Sequence, residues 1–324
     1  MSEPIELTIL FPVYNGKIDQ IDLAIQSMLD QTYSRFKIVI IDDGSDAPVA
    51  QFLSSLKNRD ERISLVRNEK NTGLSKSLNM CIANCNTKYI ARMDADDWSF
   101  PFRLEYQMHF LKSHPNISVL GTEAITMDDN KNLFRFPLHS HKEICSCLPF
   151  FCCLAHPTVI FLKEAIEKVG GYPIKSAAQD YALWAKIAFC SDMEMAILPK
   201  VCLKYRQSIS QIKYGDKQQK SAIETKNFIA ETLGIQNPIL WDLDLNLKNY
   251  QSAQLQLQKI HAELIRRFGM SHILSFNVTL TKLNLLKDAH KKGIILGLKY
   301  FLIRKYLKLK LSYYKYRIFW ESKF

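Results

Sequence analysis

Four short apolar runs divide the first 93 residues: Leu7 to Val13, Lys37 to Ile41, Ile63 to Val66 and Lys88 to Met93. Runs this continuous offer no polar side to water, so as strands they must be covered on both faces. The segments between them carry apolar residues at helical spacing. Ile18, Ile21, Ile25, Met28 and Leu29 form one buried helical face between residues 18 and 31. Further helices are expected over about 49–56 and 73–83. The resulting β-α-β-α-β-α-β order predicts an α/β fold, a mostly parallel sheet with flanking helices. In such sheets ligands bind beyond the carboxyl ends of the strands, where strand order reverses.

Acids stand at two of those ends. The second run closes with Asp42-Asp43-Gly44-Ser45-Asp46, and the fourth is followed by Asp94-Ala95-Asp96-Asp97. Three carboxylates within four residues repel one another unless a cation sits among them, and hard divalent ions such as Mn²⁺ or Mg²⁺ take oxygen ligands of this kind. Taken alone, such a stretch reads first as a solvated acidic turn. Two acidic groups brought to the same edge of one sheet argue for a shared crevice instead.

Downstream, Pro101 is placed to open a helix reaching about Ser113, a strand resumes at Ser118–Gly121, and another is expected at Thr158–Phe161. Residues 129–157 lose clear periodicity and suit a loop or short helix near the active face. They hold His139, His141, Cys145, Cys147, Cys152, Cys153 and His156, but no C-x-x-C pair, which argues against zinc. Gly170-Gly171-Tyr172-Pro173 is a turn, and Gln179-Asp180-Tyr181-Ala182-Leu183-Trp184 opens a helix with an acid in its first turn. Beyond about residue 211 glycine and proline are sparse and helical patterning dominates, as in Leu257, Ile260, Leu264 and Phe268. Two regions are expected: a catalytic domain over 1–210 and a helical C-terminal region over 211–324.

In order and spacing, Phe11-Pro12-Val13-Tyr14-Asn15, Ile41-Asp42-Asp43-Gly44-Ser45, Asn71-Thr72-Gly73-Leu74 with Asn79, Met93-Asp94-Ala95-Asp96-Asp97 with Pro101, and Gly170-Gly171-Tyr172 followed by Gln179 to Trp184 resemble the motifs of bacterial family 2 glycosyltransferases. The resemblance covers about residues 7–210. It implies a GT-A type (Rossmann-like) fold, a nucleotide-sugar donor, and Mn²⁺ or Mg²⁺. By resemblance Asp97 binds the metal, Asp96 the metal or the donor ribose, and Asp94 supports them. Asp43, with Asp42, accepts from the base ring, favouring a UDP-sugar, while Pro12, Tyr14 and Asn15 line the nucleotide pocket. Asn71 and Lys76 mark a helix start near the diphosphate, or a plain helix cap. Asp180 is the general base of an inverting transfer, the alternative being an acid that merely complements its helix dipole. Gln179 stands where the family more often has Glu. His156 and Trp184 are placed with Gln179 on the acceptor side, although His156 also reads as a buried histidine satisfied by backbone. Leu203 to Ser208 resembles the family's Y-R-x-H stretch, with Gln207 and Ser208 in place of its histidine.

The acceptor implied is a saccharide or lipid-linked saccharide in cell-surface polysaccharide or lipopolysaccharide synthesis. Charge adds a second clue. The chain carries 43 Lys and Arg against 32 Asp and Glu, and from Lys282 onward twelve basic residues face two acids. Residues 291–324 interleave those charges with Leu, Ile, Tyr and Phe, which favours contact with an anionic membrane; packing of the tail on the main domain is the alternative. No nucleic-acid-binding motif accompanies the charge. The acidic N-terminus lacks a secretory signal's features and no apolar run reaches membrane-spanning length, so a cytoplasmic location, on the inner face of the inner membrane if the tail binds, is expected. A nucleotidyl- or phosphotransferase would also place acids at strand ends, but would need a glycine-rich phosphate loop where Pro12-Val13-Tyr14-Asn15-Gly16 stands. A catalytically silent, membrane-associated binding protein is the third reading.

Overall fold

The computed structural model describes residues 4–127, 133–134, 139–175, 177–206, 215–239, 241, 247–269, 271–291, 304, 307–312 and 314. The chain divides into two compact units, the first formed by Met1–Phe136 with Leu154–Gln218 and the second by Pro137–Cys153 with Gln219–Phe324.

In the first unit the predicted alternation is realised. Strands β1 (Leu7–Val13), β2 (Phe36–Asp42), β3 (Ile63–Arg67) and β4 (Tyr89–Arg92) are joined through α1 (Ile18–Leu29), α2 (Ala47–Leu56) and α3 (Leu74–Asn84). All their pairings are parallel. The pleat sends alternate side chains to opposite faces, and the register sets Ile9 beside Ile38 and Phe11 beside Ile40. These four join Ile21, Ala24, Ile25 and Met28 of α1 and Leu53 of α2 in one fully buried cluster. Burying each large apolar side chain there stabilises the fold by roughly 1.5–3 kcal/mol. A polar residue at Ile25 or Ile38 would break it.

The sheet continues through β5 (Trp98–Ser99), β6 (Ile117–Thr126), β7 (Leu133–Phe134), β8 (Ile160–Leu162) and β9 (Glu194–Tyr205), flanked by α4 (Arg103–Ser113) and α6 (Lys163–Lys168), with α7 (Gln179–Cys190) preceding β9. Its order is β3-β2-β1-β4-β8-β6-β9-β5, with β7 beside β6. Beyond β4 the sheet is mixed: β8 is antiparallel to β4 and β6, β5 is antiparallel to β9, and only β6 and β9 run parallel. The sheet is thus mostly parallel, as the sequence reading has it, through β1 to β4 and the long β6–β9 pair, with short antiparallel pairings between. That reading missed β9, in which Pro199 and Lys200 bulge out between the Thr122–Leu198 and Glu123–Val201 pairs. Because β2 and β4 lie on opposite sides of β1, strand order reverses at β1, and the crevice opens beyond Val13 and Arg92.

In the second unit, α5 (His141–Cys147) packs with α9 (Leu247–Phe268) and α10 (His272–Lys291), and α8 (Gly215–Thr232) leads into it. Ser140 and Glu143 form a reciprocal capping box at the start of α5. Leu257, Ile260 and Leu264, the helical stripe read from sequence, are fully buried. Burial pushes the thiols of Cys145, Cys147 and Cys153 upward, so they stay protonated among the packed side chains. No helix among the described residues is long and apolar enough to cross a membrane. Most of the basic tail, including Lys292, Lys299 and Lys315, lies outside the described residues.

Candidate active site

The turn after β2 is held from many sides. Asp42 is fully buried, pairs with the guanidinium of Arg67, and accepts from the Ser45 N–H at 2.8 Å. Asp43 accepts from Asn68 Nδ2 (2.6 Å), Thr72 N (3.0 Å), Thr72 Oγ1 (2.9 Å) and Ser77 Oγ (2.8 Å) on one oxygen, and from Gly73 N (2.9 Å) on the other. Burial alone would raise the Asp43 carboxyl, but the bonds from Asn68, Thr72 and Ser77 outweigh it and hold it below the ordinary carboxylate value. Gly44 has φ +82°, and a Cβ there would meet the Lys70 carbonyl carbon at 2.6 Å, so the 70–71 backbone requires glycine. The β1 turn is tied to the same place: Asn15 N donates to Ser45 Oγ, and Asp46 N to Asn15 Oδ1. Pro12 is half-buried, while Tyr14, Asn15, Asn71 and Lys76 are exposed around this rim. Gly73, at the cap position of α3, has no side chain with which to cap it, and the Asp43 carboxylate takes its N–H.

The turn after β4 is built the opposite way. Arg92, buried at 2% exposure, turns back to pair with Asp94 and to donate to the Met93 carbonyl. Arg103 of α4, also buried, donates to the Arg92 carbonyl at 2.8 Å. Two guanidiniums thus underlie three carboxylates. Asp97 accepts from the Arg206 N–H at 2.8 Å through Oδ1, delivered by the β5–β9 pairing, while Arg206 Nε donates to the Asp96 carbonyl at 2.9 Å. Its Oδ2 is buried and has no partner among the described residues. Burial, then the charge on Asp94, pushes both Asp96 and Asp97 upward. An orphaned carboxylate oxygen in a cluster of like charges fits a divalent cation. No group of three or more His, Cys, Asp or Glu among the described residues could hold a metal. Such an ion would complete its shell with phosphate oxygens and water. Gln207 and Ser208 lie outside the described residues.

The third part comes from α7. Ala178 takes a left-handed conformation (φ 50°) just before the helix, where Gln179 and Asp180 are half-buried in the first turn. Burial, and after it the charge of Asp94, raises the Asp180 carboxyl; a backbone N–H from Tyr181 opposes this. Asp180 therefore lies within the electrostatic reach of the acidic turn. His156, on the 3-10 turn His156–Thr158, is buried and bonds through Nε2 to the Tyr172 hydroxyl at 2.8 Å, not to backbone. Burial, then Arg92, keeps it well below its usual pKa and neutral. Trp184 is fully buried with its ring 6.2 Å from that of His156. Trp184 is thus enclosed, and His156, 7% exposed, is nearly so.

Sequence reasoning did not find Arg103 as part of the site and gave no role to Arg92 or Arg206. The Tyr205-Arg206 pair of the Y-R-x-H stretch was the signal for the last, and nothing local marks Arg103.

The sequence profile described as glycosyl transferase family 2 matches residues 8–170, about half of the chain. The bifunctional glycosyltransferase pgtA of Dictyostelium discoideum is 28% identical over 306 residues, covering 79% of this chain and 39% of that one. The O-antigen biosynthesis glycosyltransferase WbnJ of Escherichia coli is 34% identical over 189 residues, 57% of this chain and 74% of its own. Among solved structures, S. aureus TarS 1-349 in complex with UDP-GlcNAc aligns with a TM-score of 0.58 at 16% identity, over 97% of this chain and 90% of that one. At that identity the likeness shows the fold, which is of GT-A type. This chain spans about two-fifths of the length of pgtA.

Proposed function

The chain belongs to glycosyl transferase family 2, and from that premise we propose that it is an inverting, metal-dependent transferase moving a sugar from a UDP-sugar to a hydroxyl of a saccharide or lipid-linked saccharide. Cell-surface polysaccharide or lipopolysaccharide synthesis is the setting, consistent with the O-antigen role in WbnJ's name. One observation carries the reading: at the carboxyl edge of the sheet, in a turn of three carboxylates, the buried Asp97 Oδ2 has no partner among the described residues.

Asp180 removes the proton from the acceptor hydroxyl, whose oxygen forms the new bond to the anomeric carbon. The bond from that carbon to the donor phosphate breaks on the opposite face, and its electron pair leaves with the diphosphate. Configuration therefore inverts. The raised pKa of Asp180 makes it a stronger base than an ordinary carboxylate, at the cost of needing a higher pH to ionise. Asp97, with Asp96, would hold Mn²⁺ or Mg²⁺, which supplies positive charge against the departing diphosphate. Asp94 stays on Arg92 and shapes the turn. Pro12, Tyr14 and Asn15 line the nucleotide beside the Asp42-Asp43 turn, and the exposed Asn71 and Lys76 face the diphosphate. The tail over 291–324 would bring the enzyme to the anionic cytoplasmic face of a membrane; truncation before Lys291 should then release it from anionic vesicles, and unchanged binding overturns that part.

The reading is tested by thermal unfolding with UDP and Mn²⁺ together. Bound ligand at 100 times its Kd stabilises by about 2.7 kcal/mol, so a clear rise in Tm is expected. No shift with any nucleoside diphosphate and metal sinks it. A screen of nucleotide sugars with product detection then names the donor, and a product carrying phosphate instead of sugar would favour a phosphotransferase.

A further inference from the structure

Two motifs remain without a chemical task, Asn79 and Gly170-Gly171-Tyr172, and they meet inside the first unit. The carboxamide of Asn79, on α3, pairs with the main chain of Tyr172 on both sides: Tyr172 N donates to Asn79 Oδ1 at 2.8 Å, and Asn79 Nδ2 donates to the Tyr172 carbonyl at 2.9 Å. Gly171 allows this approach. Its φ is +77°, and a Cβ there would lie 2.7 Å from Asn79 Oδ1. The turn itself is fixed from α6, with Gly171 N donating to the Ile166 carbonyl at 2.8 Å.

From Tyr172 the linkage runs on to α7. The phenol is fully buried, bonds to His156 Nε2, and has its ring 5.4 Å from the His156 ring. His156 in turn meets Trp184, which lies one helical turn after Asp180 and so on the same face of α7. Asp180 thus stands eight residues after Tyr172 in the chain and one helical turn before Trp184. At its other end α3 starts on Asp43, which takes the Gly73 N–H and the Ser77 hydroxyl. One helix therefore touches the turn beyond β2 at its first residues and the loop that leads to Asp180 in its middle.

We propose that Asn79 and Tyr172 are positioning residues for Asp180: the Asn79–Tyr172 clamp, completed by His156 and Trp184, fixes the base against α3 and hence at a set separation from the nucleotide turn. The inference rests on the transferase reading. It explains why the loop before α7 is pinned by side-chain bonds more than ninety residues apart in sequence, where helix packing alone would have sufficed.

The experiment compares Asn79→Ala, Tyr172→Phe, Asp180→Asn and the Asn79→Ala/Asp180→Asn pair. Each is assayed for UDP·Mn²⁺ affinity by calorimetry and for kcat of transfer with the donor found in the screen. A base displaced by about 1 Å can cost up to about 100-fold in rate. Asn79→Ala is expected to lose tenfold or more in kcat while its UDP·Mn²⁺ affinity stays within about twofold, and the pair to be no slower than Asp180→Asn alone, because misplacing an absent base costs nothing. Losses that multiply in the pair, a parallel fall in affinity and kcat, or an unchanged kcat would each overturn the clamp. If Asn79→Ala does not fold, Tyr172→Phe decides: it keeps the ring and the backbone clamp but loses the His156 bond. A fall in its kcat with UDP·Mn²⁺ affinity retained supports the linkage, and wild-type kcat overturns it. Failure of the transferase reading shows separately, in wild-type protein that transfers from no nucleotide sugar.

Discussion

The two acidic turns at the carboxyl edge of the sheet look alike in sequence and are opposites in physics. Asp43 receives five hydrogen bonds from its own chain and its carboxyl is held low. Asp97 receives one at 2.8 Å, leaves Oδ2 without a partner among the described residues, and is pushed high with Asp96. A carboxylate so engaged anchors the 68–77 segment, with four donors on one oxygen and the Gly73 N–H alone on the other, which keeps a lone pair. An unsaturated one in a like-charged cluster is stable only if something from outside completes it. Acids at strand ends are thus not equivalent candidates for ligand binding. The count of donors each already accepts separates the turn that holds from the turn that waits.

Removing charge should then affect rate on one side of this divide and stability on the other. The largest effect is expected at Asp180, which shares the field of the waiting turn. Asp180→Asn should lower transfer by about 10²- to 10⁴-fold, the usual worth of a general base, with UDP·Mn²⁺ affinity retained. Kinetics alongside calorimetry check this. Loss of affinity in step with rate would place Asp180 in donor binding instead.

Next in size is the anchor. Asp43→Ala strands donors from Asn68, Thr72, Gly73 and Ser77 and should cost about 2–4 kcal/mol in urea unfolding. The sign with pH follows from its lowered carboxyl. Its contribution is fully present above the ordinary carboxylate pKa and is lost as pH falls through the lower folded-state value, so the variant's deficit should narrow in acid. A variant as stable as wild type at neutral pH would show that the five bonds hold nothing.

Much of this was legible before any coordinates. The first four strands and their helices announce themselves because continuous apolar runs and 3.6-residue stripes are local signals. Asp94, Asp96, Asp97 and Asp180 were legible as acids at the ends of elements. What stayed hidden is non-local. Arg206 reaches Asp97 across 109 residues, through a strand whose alternation Pro199 and Lys200 interrupt and whose partner β5 is two residues long. Trp184 was placed on the acceptor side by the motif it closes; that it is fully buried, with the His156 ring beside it, depends on a residue from elsewhere in the chain. Asp43 had the right type and place for reading a base; only its hydrogen bonds reveal how much of it is already engaged.

A smaller effect sharpens the contrast by its sign. Asp97→Asn keeps an oxygen for the Arg206 N–H and removes the cost of burying a carboxyl pushed up to about 9, so ligand-free stability should change by less than about 1 kcal/mol or rise. The same variant should lose most of the stabilisation by UDP with Mn²⁺. Melting curves with and without ligand test both halves. A ligand-free loss as large as that of Asp43→Ala would make the two turns alike after all.

The smallest effect is a shift in pH and not in size. Asp94 raises the carboxyl of Asp180, and Arg92, which Asp94 pairs with, lowers it. Asp94→Asn removes the first influence and leaves the second uncompensated, so both changes drive the Asp180 pKa down. Asp180 must be ionised to accept a proton, and transfer therefore rises as pH passes upward through its pKa. The acid limb of kcat against pH should accordingly move to lower pH in Asp94→Asn, and Arg92→Met should move it to higher pH by removing the opposing charge. Opposite displacements in the two variants would tie the base to the waiting turn through charge alone. A limb that stays fixed in both would mean that a group other than Asp180 takes the proton.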